Sequence, residues 1–236
     1  MLQRVRAPRG RVIVIGDIHG CRAELTELLG RLDPGPDDLV ISAGDIVRKG
    51  PDPAGCLRLW RERGYLAVRG NNEEKILELA RARRFRRLFL PKEDRAVLRR
   101  PDLLSLIRRW PLAIDLPRLD IAVVHGGVFP RMPVTEKAIA RHADDVTRLR
   151  WIRREGKEWI SVGKTPELDR DILWAEAWKG PRTVVYGHTP LRRPRVDRHA
   201  IGLDTGCVYG GWLTAAIHED GKWSFKRVRA RKQYAD

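Results

Sequence analysis

The clearest hydrophobic pattern in the chain is a short apolar run at residues 12–15 that stops at a polar loop. Its four consecutive β-branched residues, Val-Ile-Val-Ile, predict a buried strand in a sheet that is covered on both faces. Gly16 and Gly20 allow a tight turn and a close approach of the backbone. Asp17 and His19 are two residues apart, so on extended backbone their side chains point the same way. This pair is either part of a metal site or an ordinary surface turn.

The same arrangement of strand, glycine loop and helix recurs twice further along the chain. Strands predicted at residues 39–43 and 65–68 end in loops that contain Asp45 and Asn71. The helices predicted from apolar residues at helical spacing cover residues 21–32 and 53–63. Strands that alternate with helices predict parallel pairing, and such sheets bind ligands beyond the carboxyl ends of their strands. We therefore expect Asp17, His19, Asp45 and Asn71 to lie together.

A second set of strands follows a long helical region. The strands predicted here cover residues 121–124, 183–186 and 200–203, and a hairpin is predicted from 212–219 and 223–228. Asp220-Gly221 is the two-residue turn of this hairpin. His125 directly follows the first of these strands, and His188 follows the second after Gly187. The basic tail, residues 229–236, is expected to be frayed.

The region between the two sets, residues 74–110, is predicted to be a basic helical insertion. Residues 81–110 carry eleven Arg and Lys against three acidic residues. These charges either steer anions towards a neighbouring site or form a solvated helix face.

Composition and charge limit the classes of function. The chain has 236 residues and a net charge of +16, which favours polyanionic partners such as nucleotides, polyphosphate or RNA. The length suits one domain, residues 1–236. No apolar run is long enough to span a membrane, and no signal peptide precedes the first strand, so a cytoplasmic protein without membrane contact is expected. The three cysteines are an odd number without CxxC spacing, and they are expected to be free thiols.

Six residues at the ends of predicted strands form the candidate metal site. They are Asp17, His19, Asp45, Asn71, His125 and His188. Oxygen donors mixed with imidazoles suit Mn, Fe or Zn better than Ca. Two ions about 3.5 to 4 Å apart would hold a hydroxide and clamp a phosphoryl group for in-line displacement. Each residue taken singly also has a structural interpretation, as a turn former or a core histidine.

The motifs GDIHG (16–20), GD-x-V-x-x-G (44–50), GN-x-E (70–73), HGG (125–127) and GHT (187–189) occur in this order. Together they resemble the calcineurin-like metallophosphoesterases, specifically the phosphoprotein phosphatase superfamily. The resemblance implies an α/β metallophosphoesterase fold, a β-sandwich flanked by helices in α-β-β-α layers. It implies two divalent metal ions, Mn first and Fe, Zn, Co or Mg as alternatives. Asp17, His19 and Asp45 would bind the first ion, and the second would be bound by Asp45, Asn71, His125 and His188.

A finer resemblance is to the ApaH-like phosphatases, relatives of diadenosine tetraphosphatase. It rests on Lys-Gly-Pro at 49–51, on residues 174–188 and on residues 203–215. Protein phosphatases usually have Asp-Arg-Gly where this chain has Arg48-Lys49-Gly50. By resemblance, Lys49 takes the place of a phosphate-binding arginine, and Arg150 is a second phosphate contact. Arg48, Lys49 and Arg150 are therefore the expected substrate-binding residues.

One departure from the family pattern affects the chemistry. The histidine of the family's GNHE loop is Asn72 here, and the aspartate that pairs with it in protein phosphatases is Arg48. An amide cannot donate a proton as imidazolium does, so a serine alkoxide would be expelled about 10² to 10⁴ times more slowly. A phosphate leaving group, whose last pKa is about 6, departs as the anion. Asn72 therefore favours phosphoanhydride substrates, or else marks a weakened enzyme.

The resulting hypothesis is a metal-dependent phosphohydrolase in which a metal-bridging hydroxide cleaves phosphoanhydride bonds of nucleoside polyphosphates. Dinucleoside tetraphosphate, a capped RNA end and inorganic polyphosphate are the expected substrates. The residues expected to act in catalysis are Asp45, Asn72, Lys49 and Arg150. The alternatives are a protein Ser/Thr phosphatase and a catalytically weak protein that binds nucleic acid or other polyanions. Trp174 and Trp178 either stack on a base or pack in the core, and the second is the commoner fate of helically spaced aromatics.

Overall fold

A computed structural model describes residues 1–82 and 89–236 of the chain. Residues 83–88, which belong to the predicted insertion at 74–110, lie outside the described residues. The strands are β1 (Leu2–Arg4), β2 (Val12–Ile15), β3 (Leu39–Ser42), β4 (Leu66–Ala67), β5 (Ala113–Leu116), β6 (Ile121–Val124), β7 (Trp151–Glu155), β8 (Glu158–Ser161), β9 (Ile172–Leu173), β10 (Thr183–Tyr186), β11 (Arg195–Val196), β12 (Ala200–Gly202), β13 (Asp204–Thr205), β14 (Trp212–Glu219) and β15 (Lys222–Arg229).

The helices within the described ranges alternate with the first strands and then cluster between the two halves of the chain. They are α1 (Arg22–Leu32), α2 (Pro53–Glu62), α3 (Asn71–Arg81), α4 (Lys92–Leu98), α5 (Pro101–Arg109), α6 (Glu136–Arg141), α7 (Ala143–Arg148) and α8 (Trp174–Ala177), with a 3₁₀ turn at Pro117–Leu119. No helix of the described residues is long and apolar enough to cross a membrane.

The strands of the described residues form two large mixed sheets. Sheet I has the order β13-β14-β2-β3-β4, with β15 on the outer side of β14. Sheet II has the order β1-β5-β6-β10-β12-β11, and a small sheet joins β8, β7 and β9. The predicted parallel pairing is confirmed for β2, β3 and β4. β6, β10 and β12 are also parallel, so the carboxyl ends of each set face one edge of its sheet.

The two sheets pack face to face, and helices cover their outer faces. Residues alternate along β2, as a strand requires: Val12 and Val14 belong to the apolar layer between the sheets, whereas Ile13 and Ile15 pack on the helical side. Sheet II contributes Ile114, Val123, Val185 and Ile201 to the same middle layer. The outer face of sheet I is covered by α1 to α5, and that of sheet II by α6, α7 and the segment around Trp174. The α-β-β-α sandwich implied by the resemblance is confirmed.

The predicted hairpin is confirmed residue by residue. β14 and β15 pair from Trp212 opposite Arg229 to Glu219 opposite Lys222, which leaves Asp220 and Gly221 as the turn. Both turn residues have positive φ, +49° and +74°, as a two-residue hairpin turn with this twist needs.

The prediction of a frayed tail is wrong. The Tyr234 hydroxyl donates to Glu24 Oε1 at 2.7 Å, and the Arg231 amide donates to the same oxygen at 2.9 Å. The Tyr234 amide donates to the Val208 carbonyl at 2.8 Å. Since Glu24 is fully buried on α1, these contacts hold the last residues against the outer helix.

Candidate metal centre

The loops after β2, β3 and β4 bring the first four predicted ligands to one edge of sheet I. These loops need unusual backbone: His19 and Asp45 have positive φ, +46° and +51°. Gly70 has no room for a side chain, because a Cβ there would collide with the Asp45 carboxylate. The Ile18 and His19 amides both donate to the Asp45 carbonyl, at 3.1 and 2.7 Å, which joins the first loop to the second.

Sheet II supplies the two remaining histidines across the interface between the sheets. His125 follows β6, and His188 follows β10 with φ of +63°. The His188 amide donates to Asp17 Oδ1 at 3.0 Å, so the two sheets are joined at the candidate ligands themselves. The rings of His125 and His188 lie edge to face, 5.0 Å apart.

The side chains form two groups of possible metal ligands that share Asp45. One group is Asp17, His19 and Asp45, and the other is Asp45, His125 and His188; within each group the donor atoms lie within 4.8 Å of one another. Asp45 Oδ2 is 3.5 Å from His19 Nε2, and Asp45 Oδ1 is 3.4 Å from His125 Nε2. The two oxygens of one carboxylate thus face opposite groups. Asn71 Oδ1 lies 3.0 Å from His125 Nε2, which places the predicted amide ligand with the second group.

Backbone carbonyls fix which nitrogen of each histidine is free to bind a metal ion. His19 Nδ1 lies 3.1 Å from the Val47 carbonyl, and His125 Nδ1 lies 2.8 Å from the Ala43 carbonyl. Since a carbonyl can only accept, these nitrogens carry protons, and Nε2 is the nitrogen that would bind a metal ion. In His188 the carbonyl of Arg148 lies 3.1 Å from Nε2, which leaves Nδ1.

The charges of the centre suit the binding of cations. Burial, together with the Asp204 and Asp45 carboxylates, holds the pKa of Asp17 well above its usual value. Burial alone would lower the pKa of His125, but Asp45 and Asp17 raise it to about 10. Burial would likewise raise the pKa of Asp45, but His125 and His19 outweigh it and hold the carboxyl ionised. Buried carboxylates that pull a proton onto a neighbouring imidazole fit divalent ions well.

The environments of the outer histidines differ from that of His125. Burial and the nearby Lys49 cation lower the pKa of His19 to about 4, although Asp45 opposes them. Burial, His125 and Arg150 lower the pKa of His188 to about 2. Both imidazoles are therefore neutral, which is the form that binds metals.

Two buried carboxylates that the strand-end pattern did not select support this centre. Asp204, the first residue of β13, is 4% exposed, contributes to the raised pKa of Asp17 and accepts from the Gly206 amide at 3.0 Å. Its position directly after a predicted strand was the available signal. Glu73 is fully buried and accepts backbone N–H groups from Asp45, Ile46, Val47 and Gly70 at 2.8 to 3.1 Å. It fixes the loop that presents Asp45.

Asn72 joins Asp45 to a cation rather than to an acid–base partner. Its amide nitrogen Nδ2 donates to Asp45 Oδ2 at 2.5 Å, and its backbone N–H donates to Asp45 Oδ1 at 2.9 Å. Its Oδ1 accepts from Arg48 Nη1 at 3.1 Å, and Arg48 Nε donates to Asp94 Oδ2 at 3.1 Å. The side chain of residue 72 therefore holds Asp45 and Arg48 in fixed relative positions.

The other two predicted phosphate contacts also lie beside the centre. Lys49 Nζ donates to the Tyr209 hydroxyl at 2.7 Å and lies 3.3 Å from His19 Nε2. Arg150 Nη2 donates to the His188 carbonyl at 2.7 Å. Among the residues that the structure describes, the buried Nε of Arg150 has no hydrogen-bond partner. The structure places one cation at each of the two ligand groups.

Trp174 and Trp178 pack in the core and do not face a ligand. Their side chains are buried, and the two indole nitrogens donate to the carbonyls of Gly126 and Arg182 at 3.0 and 2.9 Å. The core interpretation of these aromatics is confirmed.

Comparison with known proteins agrees with this centre. The family model for calcineurin-like phosphoesterases matches residues 10–219. Serine/threonine-protein phosphatase 1 of Salmonella typhimurium is 33% identical over 227 residues, 91% of this chain and 95% of that protein. The asymmetrical bis(5'-nucleosyl)-tetraphosphatase PrpE of Oceanobacillus iheyensis is 28% identical over 232 residues, 87% of each protein.

A solved structure extends the similarity to the fold. The crystal structure of a candidate diadenosine tetraphosphatase superposes with a TM-score of 0.80 at 33% identity and covers 97% of both chains. Relatives of this family are metallophosphoesterases that use a centre of two metal ions, and the residues for such a centre are grouped around Asp45 here. The chain belongs to the calcineurin-like phosphoesterases and is a metal-dependent phosphohydrolase.

Proposed function

We propose that this phosphohydrolase cleaves phosphoanhydride bonds of nucleoside polyphosphates, with dinucleoside tetraphosphate as its leading substrate. The observation that carries the proposal is the amide at residue 72, which contacts Asp45 and Arg48. An amide does not titrate at neutral pH, and neither does a guanidinium. This side of the centre therefore offers charge but no proton, which suits a leaving group that departs as a stable anion.

The residues have the following proposed roles. Asp17, His19 and Asp45 hold one divalent ion, and Asp45, Asn71, His125 and His188 hold the other, with Mn²⁺ as the preferred ion. When bound, the ions would supply Lewis-acid charge and an activated water. Lys49, Arg48 and Arg150 bind substrate phosphates, and Asn72 keeps Asp45 oriented. Lys49 acts as a point charge, whereas the two guanidinium groups offer paired N–H donors.

Two further observations support a nucleotide substrate. The PrpE proteins and the superposed crystal structure are named for tetraphosphate hydrolysis. The net charge of +16 favours a substrate that carries several negative charges. Inorganic polyphosphate and a capped RNA end present the same anhydride linkage and are variants of the same proposal.

A protein Ser/Thr phosphatase is the second candidate, since the Salmonella enzyme of that name is 33% identical. The two candidates differ in the proton that a serine alkoxide needs and a phosphate does not. The third candidate, a catalytically weak polyanion-binding protein, would bind the substrate without turnover.

The test compares hydrolysis of diadenosine tetraphosphate and of a phosphoserine peptide by the Mn²⁺-loaded protein, with Asp45→Asn as the control. We expect kcat/KM for the tetraphosphate to exceed that for the peptide by at least about 100-fold, and Asp45→Asn to abolish both. Chromatography of the products (ATP with AMP, or two ADP) identifies the bond that is cleaved. Faster turnover of the peptide would sink the proposal in favour of the protein phosphatase. Binding without turnover of either substrate would favour the catalytically weak polyanion-binding protein.

A further inference from the structure

Four polar side chains, each hydrogen-bonded to the next, connect helix α4 to the candidate metal centre. Asp94 on α4 accepts from Arg48 Nε at 3.1 Å, and Arg48 Nη1 donates to Asn72 Oδ1 at 3.1 Å. Asn72 Nδ2 in turn donates to Asp45 Oδ2 at 2.5 Å. Asp94 and Arg48 are 46 residues apart in sequence, so it is the tertiary fold that brings the α4 side chain next to Arg48.

Asp94 differs from a surface carboxylate because it is buried. Its side chain is 2% exposed, and among the described residues its Oδ1 has no hydrogen-bond partner. Burial of an ionised carboxylate is costly unless a cation compensates it, and Arg48 is the cation in contact. Arg48 is consequently held at Nε, so that its guanidinium plane is fixed relative to Asn72.

Arg48 itself is only partly enclosed. Its side chain is 28% exposed, and in the part of the chain that the structure describes its hydrogen bonds use Nε and Nη1. Nη2 is therefore left for an anion. Both Arg48 and Lys49 have positive φ, +68° and +67°, which is unfavourable for residues with a Cβ. The loop therefore keeps an unfavourable backbone conformation at the two adjacent residues that carry its cations.

We infer that Arg48 stabilises the negative charge of the departing phosphate and that Asp94 is the positioning residue that holds it there. The inference rests on the proposed function and names the determinant of its substrate class. In the step, the oxygen of water bonds to phosphorus and the bond from phosphorus to the leaving oxygen breaks. The electron pair stays on the leaving phosphate, which Arg48 neutralises, and the proton from water passes to solvent. Because guanidinium keeps its protons at neutral pH, Arg48 supplies charge in place of acid catalysis.

The test uses two substrates whose leaving groups carry different charge, diadenosine tetraphosphate and p-nitrophenyl phosphate. Asp94→Asn should lower kcat for the tetraphosphate about tenfold, because the amide holds Arg48 less firmly. Arg48→Gln/Asp94→Asn should lower it about 100-fold. Removing both charges avoids a buried unpaired carboxylate, so the double variant keeps its fold. With p-nitrophenyl phosphate, whose leaving charge is smaller and delocalised, both variants should lose much less.

Asp102→Asn is the matched control. Asp102 lies on α5 and pairs with Arg61 of α2 at 2.6 Å, so it also joins two elements of the fold by an ion pair. Its ion pair with Arg61 is separate from the hydrogen bonds that connect Asp94 to Asp45. We expect its activity on both substrates to stay unchanged. Mn²⁺ affinity, measured by calorimetry, should be the same in wild type, Asp94→Asn and the control.

Each outcome bears on the inference. Equal losses on the two substrates, or a weaker Mn²⁺ affinity in Asp94→Asn, would show a structural role and overturn it. Unchanged tetraphosphate hydrolysis in Asp94→Asn would overturn it while leaving the proposed function intact. If the wild-type protein cleaves the phosphopeptide and not the tetraphosphate, the proposed function fails first and the inference fails with it.

Discussion

At the scale of single residues, the proposed chemistry of this site rests on Asp45 and Asn72. Asp45 is common to both groups of ligands, and each of its oxygens faces one group. Asn72 donates to both carboxylate oxygens of Asp45, to one from its backbone N–H and to the other from its side chain, and its Oδ1 accepts from the permanent cation Arg48. In our proposal, this side of the centre therefore supplies positive charge where a protein phosphatase is expected to have an acid.

The cation at Arg48 leads to a prediction for Asn72→His. A histidine at residue 72 would lie beside the Arg48 guanidinium, which contacts the present side chain at 3.1 Å. A like charge disfavours the protonated imidazole, and metal ions bound at Asp45 would cancel the opposite effect of that carboxylate, so we expect this histidine to be neutral at pH 7 and unable to act as an acid. We expect Asn72→His alone to give no gain in hydrolysis of a phosphoserine peptide.

Neutralising the neighbours should change that result. In Asn72→His/Arg48→Asn/Asp94→Asn the imidazole no longer faces a cation, and we expect hydrolysis of the phosphoserine peptide to rise at least about tenfold over the single variant. Steady-state assays at pH 7 on both variants measure the effect. A gain in the single variant would show that Arg48 does not control the protonation of residue 72.

The sequence predicted the residues that follow strands but not those that reach the site through the fold. The loops that follow apolar runs contain all six predicted ligands, and this recurrence pointed to one centre: Asp17, His19, Asp45, Asn71, His125 and His188. The contact of Asp94 with Arg48 joins α4 to the loop after β3, and no local pattern encodes it. Glu73 was visible only as part of a motif, because its role depends on backbone groups from another loop.

At the scale of elements, the start of α3 is the part that fixes the loop after β3. Glu73 accepts the amides of Ile46 and Val47 with Oε1 and those of Asp45 and Gly70 with Oε2. Elements with strong periodicity, such as β2, α1 and the β14–β15 hairpin, were predicted to within a residue or two. The short strands β1 and β5 and the small sheet of β7, β8 and β9 were missed, since they have few residues and their pattern depends on partners elsewhere in the chain.

Glu73→Gln tests the importance of this loop anchor. The substitution replaces one carboxylate oxygen by an amide nitrogen, which cannot accept hydrogen bonds. The two backbone N–H groups that donate to that oxygen would then have no partner inside the protein. We expect the free energy of unfolding to fall by about 2–4 kcal/mol, measured by urea denaturation in the presence of a chelator.

Glu78→Gln on the same helix is the control for this loss. Glu78 pairs with Lys75 at 2.9 Å, but its side chain is 69% exposed, so its substitution should change the free energy of unfolding by less than about 0.5 kcal/mol. Equal effects of the two substitutions would contradict the anchoring role of Glu73.

The whole molecule combines two sheets whose loops meet at one site with a large excess of positive charge. The layers follow from the apolar alternation of the strands, and that much was predictable. The distribution of charge was not, because many arginines pair with acids that are distant in sequence, as Arg153 does with Asp171 and Arg182 with Asp115. The net charge of +16 remains after such pairing, and we expect it to attract anionic substrates at long range.

This field predicts a dependence on salt that varies with substrate charge. Between about 50 and about 500 mM KCl the KM for diadenosine tetraphosphate should rise about tenfold, because ions screen the attraction. The KM for p-nitrophenyl phosphate, which has fewer charges, should rise much less. Steady-state kinetics at constant Mn²⁺ measure both. The same dependence for the two substrates would mean that the field of the whole protein does not guide binding.

The measurement that tests the central claim most directly is anomalous diffraction from crystals of this protein grown with Mn²⁺. We predict two anomalous peaks about 3.5 to 4 Å apart, one beside Asp17 and His19 and the other beside Asn71, His125 and His188, with Asp45 bound to both. The same experiment on Asp45→Asn should show the loss of at least one peak. A single peak in the wild-type protein, or two peaks that do not share Asp45, would contradict a centre of two metal ions organised around this residue.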